Sequence, residues 1–197
     1  MSNAEAEWIV LAQDGDIGAF ENLVNTYQRA VYNLCFRMMG SHEEAEDAAQ
    51  ETFLRAFLHI QRYDRQRSFS TWLLSIAAHY CIDQLRKRRM KVLSLEDLTQ
   101  TEVADQSPLP EALYHLNENR EKVQSLLERL SATDRAAVLM FYWYDFTYEE
   151  IAEALHLTVS AVRSRLHRAR KELAQGFLNQ PTERLVVDRR QNESHAL

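Results

Sequence analysis

Apolar residues recur at three- and four-residue spacing through most of this chain, the period of an α-helix with one buried face. The clearest run is Ile17 to Met39, where Phe20, Leu23, Val24, Tyr27, Val31, Leu34, Cys35 and Met38 share a stripe. Gly40 follows, a residue suited to the left-handed conformation that closes a helix. Ser2 with Glu5, Ser41 with Glu44, and Thr147 with Glu150 each have capping-box spacing, which marks helix starts. The pattern predicts helices from Ser2 to Gln13, Ile17 to Met39, His42 to Ile60 and Phe69 to Met90. A polar, non-periodic loop is expected from Gln61 to Ser68. A second group of helices is predicted from Glu121 to Leu130, Ala132 to Tyr144, Thr147 to Leu155 and Val159 to Gly176.

Between the two groups the periodicity fails. From Val92 to about Asn119 the chain is polar and acidic, carries Pro108 and Pro110, and has no Lys or Arg. That is the composition of a linker, with room for a short helix at Ser94 to Leu98. The fold class is therefore all-α: two small helical domains, 1–91 and 119–177, joined by an acidic linker, 92–118, and followed by a polar tail, 178–197. With 4 Gly and 3 Pro in 197 residues, few turns and bulges are expected, which favours an all-helical protein over a sheet. Cys35 and Cys81 are far apart and lie in apolar helical stretches, as buried free thiols do, rather than in a disulfide or zinc spacing. No apolar run is long enough to span a bilayer, and Met1 to Glu7 lacks the order of a signal peptide. A cytoplasmic protein without stable membrane insertion is expected.

The net charge of −6 argues at first sight against a nucleic-acid partner. Its distribution argues otherwise. Cations bunch at Arg86-Lys87-Arg88-Arg89 with Lys91, and from Arg163 to Lys171; acids bunch from Glu43 to Glu51 and from Glu96 to Glu118. Segregation this sharp implies partners of opposite sign.

The last pair of helices has the form of a helix-turn-helix. Ile151, Ala152 and Leu155 face inward from the first helix, and Val159, Val162, Leu166, Ala169 and Leu173 from the second. His156 stands in the turn where Gly is usual, so it must accept a left-handed conformation at about 1–2 kcal/mol. The outer face of the second helix carries Ser160, Arg163, Ser164, His167, Arg168 and Lys171 as one stripe suited to the major groove of DNA. Arg163, Ser164, His167 and Arg168 are candidates for base edges; Arg165, Arg170 and Lys171 suit phosphates. Thr158 and the helix start can also hold a phosphate.

In the first domain Tyr63, Phe69, Trp72, His79 and Tyr80 surround the fourth helix, which ends in the Arg86 to Arg89 run. Rings beside cations suit single-stranded DNA, with bases stacked on the aromatics; Trp72 serves equally well as core. The third helix has the opposite character. Asp47, Gln50, Glu51, Phe53, Leu54 and Phe57 form an acidic and apolar face suited to docking a protein.

These segments resemble a known family. Asp47-Ala48-Ala49-Gln50-Glu51-Thr52-Phe53-Leu54-Arg55-Ala56-Phe57 resembles the core-binding helix of extracytoplasmic-function (ECF, group IV) bacterial RNA polymerase sigma factors. Phe69-Ser70-Thr71-Trp72-Leu73-Leu74-Ser75-Ile76-Ala77 with Ile82-Asp83-Gln84-Leu85-Arg86-Lys87 resembles their promoter-melting helix. Ser164-Arg165-Leu166-His167-Arg168-Ala169-Arg170-Lys171 resembles the end of their minus-35-reading helix. The resemblance runs from about Ala4 to Ala174. It implies that Asp47, Gln50, Glu51, Phe53, Leu54 and Phe57 dock on the β′ clamp helices of core polymerase. It implies minus-10 contacts from Tyr63, Arg65, Arg67, Phe69, Trp72, His79, Arg86, Lys87 and Arg88, with the Tyr63 to Ser68 loop capturing a flipped base. Minus-35 contacts fall to Ser160, Arg163, Ser164, Arg165, His167, Arg168 and Lys171, and the same domain meets the β flap. The cation-free linker suits a channel built for RNA phosphates. An anti-sigma factor is a further implied partner. His79 stands where many relatives carry Asn, and Ser160-Ala161 replaces a common Gly-Thr.

Two other classes compete. A helix-turn-helix regulator acting without polymerase explains the last third but not the acidic helix or the Trp72 helix. A metal hydrolase would need a two-histidine helical motif, which His42-Glu43-Glu44 is not, and no Ser-His or Cys-His nucleophile spacing occurs. No catalytic residue, metal or cofactor is expected.

Overall fold

The computed structural model describes residues 3–95 and 114–178, and every regular element among them is helical. The first domain contains α1 (Asn3–Gln13), α2 (Ile17–Met39), α3 (His42–His59), a 3-10 turn (Ile60–Arg62) and α4 (Phe69–Leu95). The second contains α5 (Tyr114–Arg129), α6 (Ala132–Trp143), α7 (Tyr148–Ala154) and α8 (Val159–Leu178).

Local chemistry sets these boundaries. Asp16 caps α2 by accepting the Ala19 N–H at 2.8 Å, and Gly40 ends it with φ at 81°. Ser41 caps α3 through the Glu44 N–H, and Ser131 caps α6 through the Asp134 N–H. Thr147 and Glu150 form the full reciprocal box at α7. Replacing Thr147 with Ala should lower stability by about 0.5–2 kcal/mol, the usual value of such a cap. Thermal unfolding checks this, and an unchanged midpoint would contradict it.

The helices differ from the sequence expectation mainly at their ends. α4 continues past Lys91 to Leu95, and α5 begins at Tyr114 rather than Glu121. Of the short helix expected at Ser94 to Leu98, only Ser94 and Leu95 are described, as the end of α4; the rest, the two linker prolines, the polar tail and the Ser2 cap lie outside the described residues. α8 runs through Gly176 instead of stopping there. A Cβ at that position would come within 2.6 Å of Leu126 on α5, so this glycine serves close helix approach, not termination.

Small residues bring α2, α3 and α4 together: Ala45, Ala48, Ala56, Ala77 and Ala78 are buried beside Leu23, Val31, Leu34, Met38, Leu73 and Leu74. Cys35 and Cys81 are buried free thiols in this core. A thiol hydrogen bond between them and burial push Cys81 well above the usual thiol range. Leu127, Leu139, Met140, Ile151, Val162 and Leu166 fill the second core.

The two domains pack on each other. α6 lies against α2 and α4, α7 against α4, and α5 against the end of α2. Arg135, 6% exposed, enters from α6 and donates to the Met38 carbonyl at the C-terminal end of α2, where the helix dipole favours a cation. Tyr144 donates to the Ala30 carbonyl at 2.7 Å, and the Arg37 guanidinium lies 5.3 Å over the Trp143 ring. Among the described residues no helix is long and apolar enough to cross a membrane.

Candidate nucleic-acid and polymerase interfaces

The helix-turn-helix forms as its pattern requires. His156 takes φ of 53°, and the Leu157 N–H donates to the Ala152 carbonyl at 2.8 Å to close the turn. Thr158 opens α8 by accepting the Ala161 N–H at 3.2 Å. Ser160, Arg163, Ser164, His167, Arg168 and Lys171 all lie exposed along α8, on the side away from Val162, Leu166 and Ala169. Arg163 lies 5.6 Å over the Tyr148 ring, which orients it from the preceding helix.

Two cations of this helix are otherwise engaged. Arg165 turns toward α6 and pairs with Asp134 at 2.8 Å, an internal ion pair where a phosphate contact was expected. Arg170 donates to the Tyr142 hydroxyl at 2.7 Å and lies over the Phe141 and Tyr142 rings. Hydrogen bonds to Tyr148 and Tyr142 hold it above the ordinary guanidinium range. Tyr142 and Tyr148 were outside the sequence expectation. Their signal was present, since Tyr142 and Tyr148 lie in the two helices that precede the recognition helix.

In the first domain the aromatics divide. Tyr63 and Phe69 are 4% and 1% exposed, so neither ring can stack on a base here. In this arrangement both rings belong to the core beneath the loop. Phe69 packs on Tyr27 and Trp72, and Tyr63 meets Phe69 and Trp72 at ring centroids of 5.3 and 5.0 Å. Tyr63 also donates from its hydroxyl to the Arg67 carbonyl at 2.5 Å. Burial, with Glu5 and Asp64 nearby, pushes that hydroxyl up to about 12, so it stays a donor at neutral pH. Both residues therefore shape the loop from beneath. Arg65 and Arg67 lie on its exposed side, and Trp72 and His79 are half-buried on α4 below it. Arg86, Lys87 and Arg88 are exposed farther along α4; Arg86 is 4.0 Å from Asp83 and Arg88 is 3.4 Å from Glu44.

A cleft of about 650 Å³ lies between this surface and α7. Its first wall includes Arg67, Thr71, Trp72 and His79; the second includes Glu150, Glu153 and His156. Arg67 pairs with Glu153, the Thr71 hydroxyl lies 3.4 Å from Glu150, and the His79 and His156 rings are 4.9 Å apart. Carboxylates of α7 thus stand against the groups expected to meet the minus-10 strand.

On α3, Asp47, Gln50, Leu54 and Phe57 form one exposed stripe. Glu51 borders it, paired with Arg55 at 2.7 Å, while Arg55 lies 4.9 Å over the Tyr80 ring. Phe53 is half-buried and lines a groove of about 480 Å³ between α2 and α3, together with Val24, Gln28, Tyr32, Glu46 and Gln50. The α2 wall was missed by sequence reasoning because Val24 falls on the stripe that reads as core. Among the described residues no group of three or more His, Cys, Asp or Glu is placed to hold a metal ion.

The comparisons with known proteins agree with this geometry. Residues 23–90 match the model of sigma-70 region 2, and residues 120–173 match that of sigma-70 region 4. The chain is 36% identical over 166 residues to the ECF RNA polymerase sigma factor SigW of Bacillus subtilis, covering 81% of this chain and 89% of that protein. It is 31% identical to the ECF RNA polymerase sigma factor SigX of the same organism, over 78% of this chain and 81% of the relative. The fold is similar to that of the sigma factor RpoE in complex with the anti-sigma factor NepR from Bartonella quintana. There the TM-score is 0.66 at 22% identity, covering 83% of this chain and 99% of that one. A two-domain helical sigma architecture with a helix-turn-helix defines the class. The chain belongs to the ECF RNA polymerase sigma factor family, whose members are transcription initiation factors that bind core polymerase and promoter DNA.

Proposed function

We propose that this protein is a group IV sigma factor that directs core polymerase to promoters by reading a minus-35 duplex with α8 and a melted minus-10 strand with α4 and the loop before it. The observation that carries the reading is the exposed stripe from Ser160 to Lys171 on a helix set by a complete helix-turn-helix. The exposed loop cations Arg65 and Arg67 and the α4 cations Arg86, Lys87 and Arg88 support the minus-10 role, and the α3 stripe supports docking on the β′ clamp helices. The second domain also meets the β flap, and the acidic linker follows the RNA exit path. An anti-sigma factor holds the protein inactive; the relative from Bartonella quintana was solved with one.

The test is run-off transcription with core polymerase on fragmented DNA of the source genome. Discrete start sites that require the protein are expected; their absence would refute the reading. On those promoters Arg163→Ala and Arg168→Ala should each weaken promoter binding by about 1–3 kcal/mol, the usual value of a specific base contact. Substituting the minus-35 bases should abolish the difference between wild type and variant. Unchanged binding in both variants would remove the stripe from promoter reading.

A further inference from the structure

We propose that Gln13, at the end of α1, is a positioning residue that holds the minus-10 loop in its base-capturing shape. The proposal rests on the minus-10 reading of that loop given above. α1 precedes the stretch that matches sigma-70 region 2, which begins at residue 23, so nothing in that match assigns it a part in promoter recognition.

The argument starts from the loop's backbone. The segment from Ile60 to Ser68 leaves α3 through a single 3-10 turn and must present Asp64, Arg65 and Gln66 on its exposed side. A polar loop has many backbone states, and ordering each residue costs about 1–2 kcal/mol of entropy. Two fastenings offset that cost. From below, the Tyr63 hydroxyl donates to the Arg67 carbonyl at 2.5 Å, which bridges the loop internally. From the side, the Gln13 amide donates to the Ile60 carbonyl at 3.0 Å and to the Tyr63 carbonyl at 2.9 Å. Ile60 already accepts from the Tyr63 N–H, whereas Gln13 supplies a donor to the Tyr63 carbonyl. One side chain thus spans the 3-10 turn and sets the direction in which the chain leaves Tyr63.

Gln13 can do this because α1 is itself fixed. Ile9 and Ala12 are buried, and Tyr27 on α2 donates to Glu5 at 2.6 Å. Just after Gln13 the Gly15 N–H returns to the Ala12 carbonyl at 3.1 Å and the Asp16 N–H to the Leu11 carbonyl at 2.9 Å. Asp16 then caps α2. The amide is therefore presented from a rigid corner, as a positioning group must be. The distinguishing chemistry is donation. Glu at position 13 has the same shape but, ionised, only accepts, and would set a carboxylate against two carbonyl oxygens.

The test uses holoenzyme assembled from core polymerase and the full chain. The probes are single-stranded non-template oligonucleotides spanning the minus-10 element of a start site mapped by run-off transcription. Each base is replaced in turn by an abasic residue. Wild type should bind one abasic oligonucleotide at least about tenfold more weakly than the intact strand. Gln13→Glu and Gln13→Ala should bind the intact strand weakly and lose less than about twofold more at that position, with core affinity unchanged. Gln13→Lys, which keeps a donor, should recover part of the ratio. A merely structural residue would weaken every oligonucleotide equally and keep the ratio. A preserved tenfold ratio in Gln13→Glu overturns the role of Gln13 alone. A wild type insensitive to every abasic position overturns the loop reading, and this proposal with it.

Discussion

Reversing the charge at Asp47 and Glu51 together is expected to remove the protein from core polymerase, weakening the complex by about 2–5 kcal/mol, or roughly thirtyfold to several thousandfold. Asp47 lies open on the α3 stripe beside Gln50 and Leu54, so its charge can reach a partner directly. Glu51 already pairs with Arg55, and Arg55 is held over Tyr80. A lysine at position 51 would therefore both present a like charge to a basic partner and release Arg55 to add another. The apolar residues Leu54 and Phe57, 53% and 42% exposed, remain, so loss of binding would report charge rather than loss of the patch. Co-purification with core, with helicity followed by circular dichroism, checks the result. Normal co-purification by a folded variant would remove α3 from the docking surface.

Arg135→Ala should loosen the packing of the two domains. The side chain is buried, and a hydrogen bond from a charged group contributes about 1.5–3 kcal/mol. Two features reduce the net effect. Its Nε has no partner in this structure, and burial lowers its affinity for a proton, with Glu128 opposing that shift. Arg135→Met, which fills space without unpaired donors, should therefore open the domains less than Arg135→Ala. X-ray scattering should show a larger radius of gyration for Arg135→Ala, and Trp143 emission should change as the Arg37 contact is lost. An interface weakened by about 1.4 kcal/mol exposes its faces about tenfold more often. Because Glu150 and Glu153 stand against Thr71 and Arg67, binding of a minus-10 single strand by the free protein should rise by a similar factor. Scattering identical to wild type for both variants would mean that Arg135 does not hold the domains together.

Legibility in the sequence followed the range of the forces involved. Helix starts depend on residues three apart, and the Ser41 cap and the Thr147 box were visible for that reason. The left-handed turn at His156 was equally local. The use of Gly176 was not legible, because it lies in contact with Leu126, fifty residues earlier in sequence, and not in its neighbours. Tyr63 and Phe69 are a similar case: rings beside cations look like a stacking platform, and only tertiary packing shows which are covered. Arg165 reads by charge alone as a phosphate contact, although its position on α8 turns it toward Asp134. The α7 carboxylates facing the minus-10 surface were invisible in principle, since they arise from the docking of one domain on another.

The central claim is that both DNA contacts are made as part of a polymerase complex. Footprinting of a mapped promoter with the protein alone, with core alone and with both tests it most directly. The account predicts protection of the minus-35 and minus-10 elements only when both are present, with loss of the minus-35 footprint in Arg163→Ala and Arg168→Ala. Protection of the duplex by the protein alone, unchanged when core is added, would contradict it.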